Sequence, residues 1–379
     1  MNGVRQITGH QALTSLDAAI DDLHAATAAP VTARRLWLET WIRCHPQYVP
    51  WIVVVDDGAD RLRAAAPLAW RRRAGVTEIV AIGHGASDDV RLPARDATAA
   101  FLLAAAVAIR LAAIRGPWRL LIGQLRAGDE VAVELADRLP RARLVPADPS
   151  PVTRFTDDRS PRTYVSRNHH QQVRRMLNRM QRDGLEPQIE VTRDPQAIAA
   201  LLPAVEQVCR RRDATLHRRS PFEDPIQRRF FYDVVSHFAQ QQQVELLTVH
   251  LDRDLACYVL CFLDQVAYRM WSCRFDPRWQ RYGVGRVGNH FALTRALSDP
   301  GCAEFDWMRG DEPYKFSMSN AVSHAVTLIA WSGPLCETLT DAPRQVKSTL
   351  KPVVERHQRL QDVRAGLERA GYLIGKVRR

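Results

Sequence analysis

Apolar positions in the first half of the chain change period several times. Leu36, Trp37, Trp41 and Ile42 recur at helical spacing and stop at Pro46. Three runs that alternate or are continuously apolar follow, "PWIVVVDD", "RAAAPLAWRRR" and "TEIVAIGHG", and predict strands. From about Asp96 the pattern returns to a helix, whose most apolar part, Ala97 to Ile114, is alanine-rich and interrupted by Arg110. That run is shorter than the roughly 20 residues a bilayer span requires. A buried helix is expected there, and no membrane span. "WRLLIGQL" then predicts another strand and "EVAVELADRL" a short helix.

The stretch "RLVPADPSPVTRFTDDRSP", with four prolines, reads as the crossing between two halves. Beyond it the pattern predicts a helix from about Pro161 to Asp183, a strand in "EPQIEVTRD", and helices over 195–213 and 222–242. Three strands follow, "VELLTVHLD", "LACYVLCFLDQ" and "VAYRMWSCRFDP", with hairpin-like breaks at Asp252-Arg253-Asp254 and Asp264-Gln265. A glycine turn over 276–285, a helix over 285–298 and a strand over 304–308 complete the series. This order repeats the first half, so two copies of one α+β unit are expected. Each is a mostly antiparallel sheet flanked by helices. The expected bounds are 1–150 and 151–335, with a helical tail over 336–379.

Composition narrows the picture only a little. The 379 residues exceed a usual single domain, in keeping with two cores. With 46% hydrophobic residues the chain is neither disordered nor fibrous. The excess of 53 Lys+Arg over 42 Asp+Glu, a net +11, attracts anions without choosing among them. Seven cysteines without a C-x-x-C pair, and an N-terminus lacking an apolar core, point to reduced thiols and a cytoplasmic protein. His169-His170 have no carboxylate or cysteine at ligand spacing, so no metal is expected. No acidic residue occurs from Arg159 through Arg182. Arg175, Arg179 and Arg182 share one helical face there, opposite Val173, Leu177 and Met180.

The glycine turn carries the first candidate chemistry. A helix N-terminus presents unpaired N–H groups and partial positive charge, and Gly283 and Gly285 remove side chains that would hold a phosphate away. Arg281 and Arg286 add charge. No Gly-Lys-Ser/Thr follows, which excludes a Walker A loop. The antiparallel strands before it argue against a dinucleotide fingerprint. A bare strand-to-helix turn and an anion cradle both remain open at this point.

The pattern Gln280-x-x-Gly283-x-Gly285 resembles the acyl-CoA pyrophosphate loop of the GNAT acyltransferases. Downstream, Asp306, Gly310, Glu312, Tyr314 and Lys315 look like the signature of the CelD-type, cellulose-biosynthesis-associated branch of that superfamily. "SRNHHQQVRRMLNRMQRDG" is similar to the Arg-rich helix that opens its domain. The resemblance covers about 160–317. It implies two strands that splay apart, with an acyl-CoA, acetyl-CoA or a longer one, lying along Tyr268 to Phe275 past Trp271 and Cys273. The pyrophosphate would sit on Gln280, Arg281, Tyr282, Gly283, Val284, Gly285 and Arg286. An amine of a sugar, peptide or polysaccharide precursor would attack the thioester directly. Such an N-acetyltransferase needs a base and an acid. Asp306 is the candidate base, against a structural ion pair with an arginine. Tyr314 is the candidate acid for the thiolate, and Lys315 a ligand of the acyl carbonyl or a cofactor phosphate. Trp307 and Glu312 are candidates for binding substrate.

The first half has Gly83 and Gly85 but lacks both the preceding Gln/Arg and a following Tyr-Lys. It is expected to be a degenerate unit that shapes the acceptor site, with Asp88 and Asp89 recognising an amine. Tandem units with a basic surface also resemble Fem-type transferases, whose donor is an aminoacyl-tRNA. The stripe at 159–182 would then meet tRNA phosphates. A non-catalytic component of a polysaccharide-synthesis system is the third possibility.

Overall fold

A computed structural model describes residues 3–340 apart from 10, 59–60, 265 and 339. Of the expected helical tail over 336–379, residues 341–379 lie outside the described residues. The first half contains β1 (Gly3–Thr8), α1 (Asp17–Ala26), α2 (Arg35–Cys44), β2 (Val49–Asp56), β3 (Leu62–Arg73), β4 (Val76–Ala81), α3 (Ala97–Ala112), β5 (Trp118–Arg126), α4 (Glu130–Arg138) and β6 (Arg143–Pro146). The second contains β7 (Ser150–Arg154), α5 (Pro161–Tyr164), α6 (Arg167–Arg182), β8 (Gln188–Thr192), α7 (Pro195–Thr215), α8 (Pro225–Gln240), β9 (Val244–Leu251), β10 (Asp254–Asp264) and β11 (Ala267–Phe275). It continues through α9 (Val284–Leu297), β12 (Glu304–Asp306), α10 (Pro313–Phe316), β13 (Ala321–Ser323) and β14 (Ala325–Trp331).

Two mixed sheets of seven strands result, in the orders β1-β2-β3-β4-β5-β14-β6 and β13-β7-β12-β11-β10-β9-β8. The architecture is thus two α+β units, each a mostly antiparallel sheet flanked by helices. In each sheet one internal pair is parallel, β4 with β5 and β11 with β12. The central strands β2, β3 and β10 are buried along most of their length, which is why their sequences run apolar without strict alternation.

The bounds 151–335 meet one complication. β14 leaves the second unit and inserts between β5 and β6 of the first sheet, pairing antiparallel with both. Its Leu328 and Ala330 complete the first core. The expected single helix over 161–183 is two helices. Ser166 breaks it, its hydroxyl accepting from His169 N at 3.2 Å as the cap of α6.

The units share a core. Trp37 of α2 packs edge-on against Phe230 of α8, Phe262 of β10 and Trp271 of β11, with ring centroids 5.3–5.5 Å apart. Beneath α9, a second core joins Val173 and Met180 of α6 to Val284, Val287 and Leu293. The arginine face of α6 is left to solvent, as its pattern predicts.

Candidate functional site

β11 and β12 run parallel through three positions, Ala267 with Glu304, Tyr268 with Phe305 and Arg269 with Asp306. Beyond that they part. β11 continues to Phe275, while the chain after Asp306 turns away and Trp307 N donates to Pro151 O at 3.0 Å. An opening is left between the two strands past this point.

Arg269 and Asp306 close its base. Asp306 Oδ2 accepts from Arg269 Nη1 at 2.6 Å, and Oδ1 accepts from Met308 N at 2.8 Å. Arg269 Nε donates to Asp264 Oδ2 at 2.9 Å, and Asp264 pairs in turn with Arg34 of the first unit. Burial raises the Asp306 carboxyl and Arg269 opposes the rise. With both oxygens engaged and a permanent cation against one, Asp306 has the arrangement of the structural ion pair weighed against its role as base.

The residues after it form a compact loop. Lys315 is buried, 5% exposed, and its Nζ donates to Arg309 O at 2.6 Å and meets Glu312 Oε2 at 3.0 Å. It therefore holds the loop 308–312 together. Burial alone would raise the Glu312 carboxyl, but Lys315 leaves it below its usual range. Gly310 sits at φ +138°, a backbone conformation that residues with side chains rarely adopt. Tyr314 is 36% exposed, edge-on to Trp307 with centroids 6.4 Å apart. Burial of its hydroxyl raises the phenol far above its usual range, so it keeps its proton. Trp307 is fully buried, its Nε1 donating to Thr153 Oγ1 at 2.9 Å, and so packs the core.

The opposite wall and the turn complete the site. Trp271 stacks on Phe231 at 5.1 Å, and Cys273 donates to Asn289 Oδ1 at 3.1 Å. Residues 277–282 form a short 3-10 turn, closed by Gly283 N donating to Gln280 O at 3.0 Å. Gly283 caps α9 at φ +65°. Val284 is buried, Gln280, Arg281 and Arg286 are exposed, and Tyr282 Oη donates to Asp183 Oδ2 at 3.1 Å. The glycines have a packing role as well. A Cβ on Gly283 would lie 2.6 Å from Met176 Cε, and one on Gly285 2.8 Å from Phe275 Cδ1. The space they vacate is occupied by these side chains.

Sequence reasoning missed Arg269, Asp264, Arg34 and Arg309. The available signal was an arginine inside the apolar strand "VAYRMWS". Asp88 of the first unit also belongs to this centre, its Oδ1 lying 3.2 Å from Arg309 Nε. Burial pushes its carboxyl up to about 6, opposed by Arg309 and Lys315. Asp89 pairs instead with Arg91 at 2.8 Å. Among the described residues no group of three or more His, Cys, Asp or Glu is arranged to hold a metal ion. Nor is any helix among them long and apolar enough to cross a membrane.

Residues 167–316 match the family model described as an acetyltransferase (GNAT) domain. Across the whole chain the fold is similar to that of FemX, with a TM-score of 0.62, 10% identity, and coverage of 85% of this chain and 98% of that one. It is also similar to the C-terminal domain of a putative lysylphosphatidylglycerol synthetase from Agrobacterium fabrum, with a TM-score of 0.53, 10% identity, and coverage of 87% and 96%. A third likeness is to L-PGS from Bacillus licheniformis, with a TM-score of 0.51, 10% identity, and coverage of 86% and 96%. At such identities the likeness is one of fold. No curated protein matches the chain at a significant level.

Proposed function

We propose, from a GNAT acetyltransferase domain in residues 167–316, that the protein passes an acyl group from an acyl-CoA to an amine by direct attack on the thioester. Acetyl-CoA is the simplest donor, and an amine of a sugar, peptide or polysaccharide precursor the acceptor. The carrying observation is the parallel pair β11/β12, which parts after Arg269 and Asp306 beside a helix whose N-terminus is flanked by exposed Arg281 and Arg286. The pantetheine would lie along Trp271 to Phe275, and the pyrophosphate on 280–286. Tyr314 protonates the departing thiolate. Asp88, poised near neutrality, accepts the ammonium proton, while Asp306 and Lys315 hold the geometry. Glu312 binds the acceptor. The donor unit is 151–335 with its last strand lent to the first sheet. The Asp306 to Lys315 spacing supports the CelD-type branch, and acyl-CoA and reduced thiols a cytoplasmic setting.

Calorimetric titration with acetyl-CoA tests the donor. Binding is expected, weakened at least tenfold by Arg281→Glu with Arg286→Glu. An intact protein that binds no acyl-CoA ends this reading.

One observation favours a Fem-type reading with an aminoacyl-tRNA donor. Met176 and Phe275 fill the space beside Gly283 and Gly285, so packing alone accounts for the glycines. The exposed arginines of α6 would then contact phosphates, and affinity for bulk tRNA would fall steeply between 50 and 200 mM salt. Absent or salt-insensitive binding removes it.

A further inference from the structure

The last residues of β11 leave on alternate faces of the sheet. Cys273 Sγ donates to Asn289 Oδ1 of α9, whereas Arg274 turns to the other face, where its Nε lies 3.7 Å from Asp213 Oδ1 of α7. The Arg274 side chain is 39% exposed. Its charge reaches the candidate site, where it joins Lys315 in holding down the Glu312 carboxyl that burial alone would raise.

Arg212, one residue before Asp213, lies over the Phe275 ring with its Cζ 4.2 Å from the centroid. Stacking occupies one face of the guanidinium and leaves its in-plane N–H donors at the rim. Arg210 and Arg211 are paired with Glu206 and Asp276, but the half-buried Arg212 guanidinium meets no acceptor among the described residues. The chain after α7 doubles back, Arg218 N donating to Asp213 O at 2.9 Å, and brings the exposed Arg218 alongside. Burial, then Arg274 and Arg218, hold Arg212 below its usual range, with Asp213 opposing them. Asp213 is buried and its Oδ2 accepts from Cys209 Sγ at 3.4 Å, so it neutralises the three arginines poorly. Like charges gathered on an accessible surface favour an anion from outside the chain.

We propose that Arg212, with Arg218 and Arg274 beside it, forms an anion subsite for an acceptor that bears both an amine and a carboxylate or phosphate. This rests on reading the second unit as an acyltransferase to amines. The fork of the Arg212 guanidinium suits two oxygens of one such group. The ammonium end of the same molecule meets Glu312, so an acceptor of opposite charges meets opposite charges across the end of β11. The donor's phosphates are assigned to 280–286, which lead into α9, and α9 and α7 cover opposite faces of the sheet.

Ethanolamine, β-alanine and O-phosphoethanolamine share an amine and a two-carbon spacer, and end on a hydroxyl, a carboxylate or a phosphate. They are titrated calorimetrically, without acyl-CoA, into the full-length chain carrying Arg281→Glu and Arg286→Glu, which disfavour anions at the donor turn. An anionic probe is expected to bind at least about tenfold more tightly than ethanolamine. β-Alanine as the tighter ligand assigns a carboxylate, O-phosphoethanolamine a phosphate. Adding Arg212→Gln is expected to bring the preference within about threefold. Arg115→Gln, which removes the same charge from an exposed position of the first unit, is expected to leave it. No binding of any probe, no preference, a preference that survives Arg212→Gln, or an equal loss in Arg115→Gln overturns the proposal. Should Arg212→Gln fail to fold, the exposed Arg218→Gln decides, an unchanged preference there overturning it. Failure of acetyl-CoA to bind, by contrast, ends the donor reading and leaves these ratios untouched.

Discussion

The residues that decide the chemistry are distinguished by what opposes their charge. Burial raises both the Asp306 and Asp88 carboxyls, but both oxygens of Asp306 are engaged by Arg269 and the Met308 amide, while Asp88, paired with Arg309, is still pushed up to about 6. As base, Asp88 would give kcat/KM a rise with pH centred near 6, and Asp88→Asn a loss of about 10²-fold with that limb removed. An unchanged profile in the variant reassigns the base. His24 makes a stability prediction of its own. Both its ring nitrogens are buried without partners, and burial pushes its pKa down to about 4. Between about pH 6.5 and 4 the unfolded chain takes up a proton that the folded chain refuses, so stability falls as pH drops through that window. The full loss is roughly 3 kcal/mol. Urea midpoints at pH 7.5 and 4.5 should differ less in His24→Leu than in the wild type, and an equal difference discounts the residue.

The turn into α9 is where element geometry and ligand binding meet. Gly283→Ala introduces a side chain at φ +65° and a methyl 2.6 Å from Met176 Cε, and should cost about 2 kcal/mol in denaturant unfolding. Met176→Ala in the same chain should return the steric share, a coupling read from a double-mutant cycle. Additive losses would mean that α6 yields without strain. This turn was legible in the sequence because glycine spacing is a local signal, as were the helices and most strands, whose periods are set by their own residues. Ser166 was the missed break, a single cap inside a continuous arginine-rich run. The ion pairs of Arg269 were harder to foresee. An arginine in an apolar strand announces a buried partner, and Asp264 lies five residues before it in the β10/β11 hairpin, but Arg34 is brought to Asp264 only by the packing of one unit on the other.

At the scale of the molecule, the two sheets are covalently and physically one system. β14 carries seven residues from the end of the second unit into the first sheet, and Trp37 and Arg34 tie α2 and its approach to the second. Unfolding should therefore follow a single cooperative transition by fluorescence and circular dichroism alike. Truncation after Ser323 should abolish folding of the first unit, although every cut residue lies in the second half. A stable first sheet in that truncation would show β14 to be dispensable. The sequence could not announce this exchange, because the apolar run Ala325–Trp331 fits an inner position in either sheet equally well. The inserted strand also has a consequence on the ribosome. β5 and β6 are among the earlier segments to emerge, yet the slot between them stays open until residues 325–331 have been made. The half synthesised first is thus the half that finishes last, exposing two unpaired edges to chaperones throughout translation of the other.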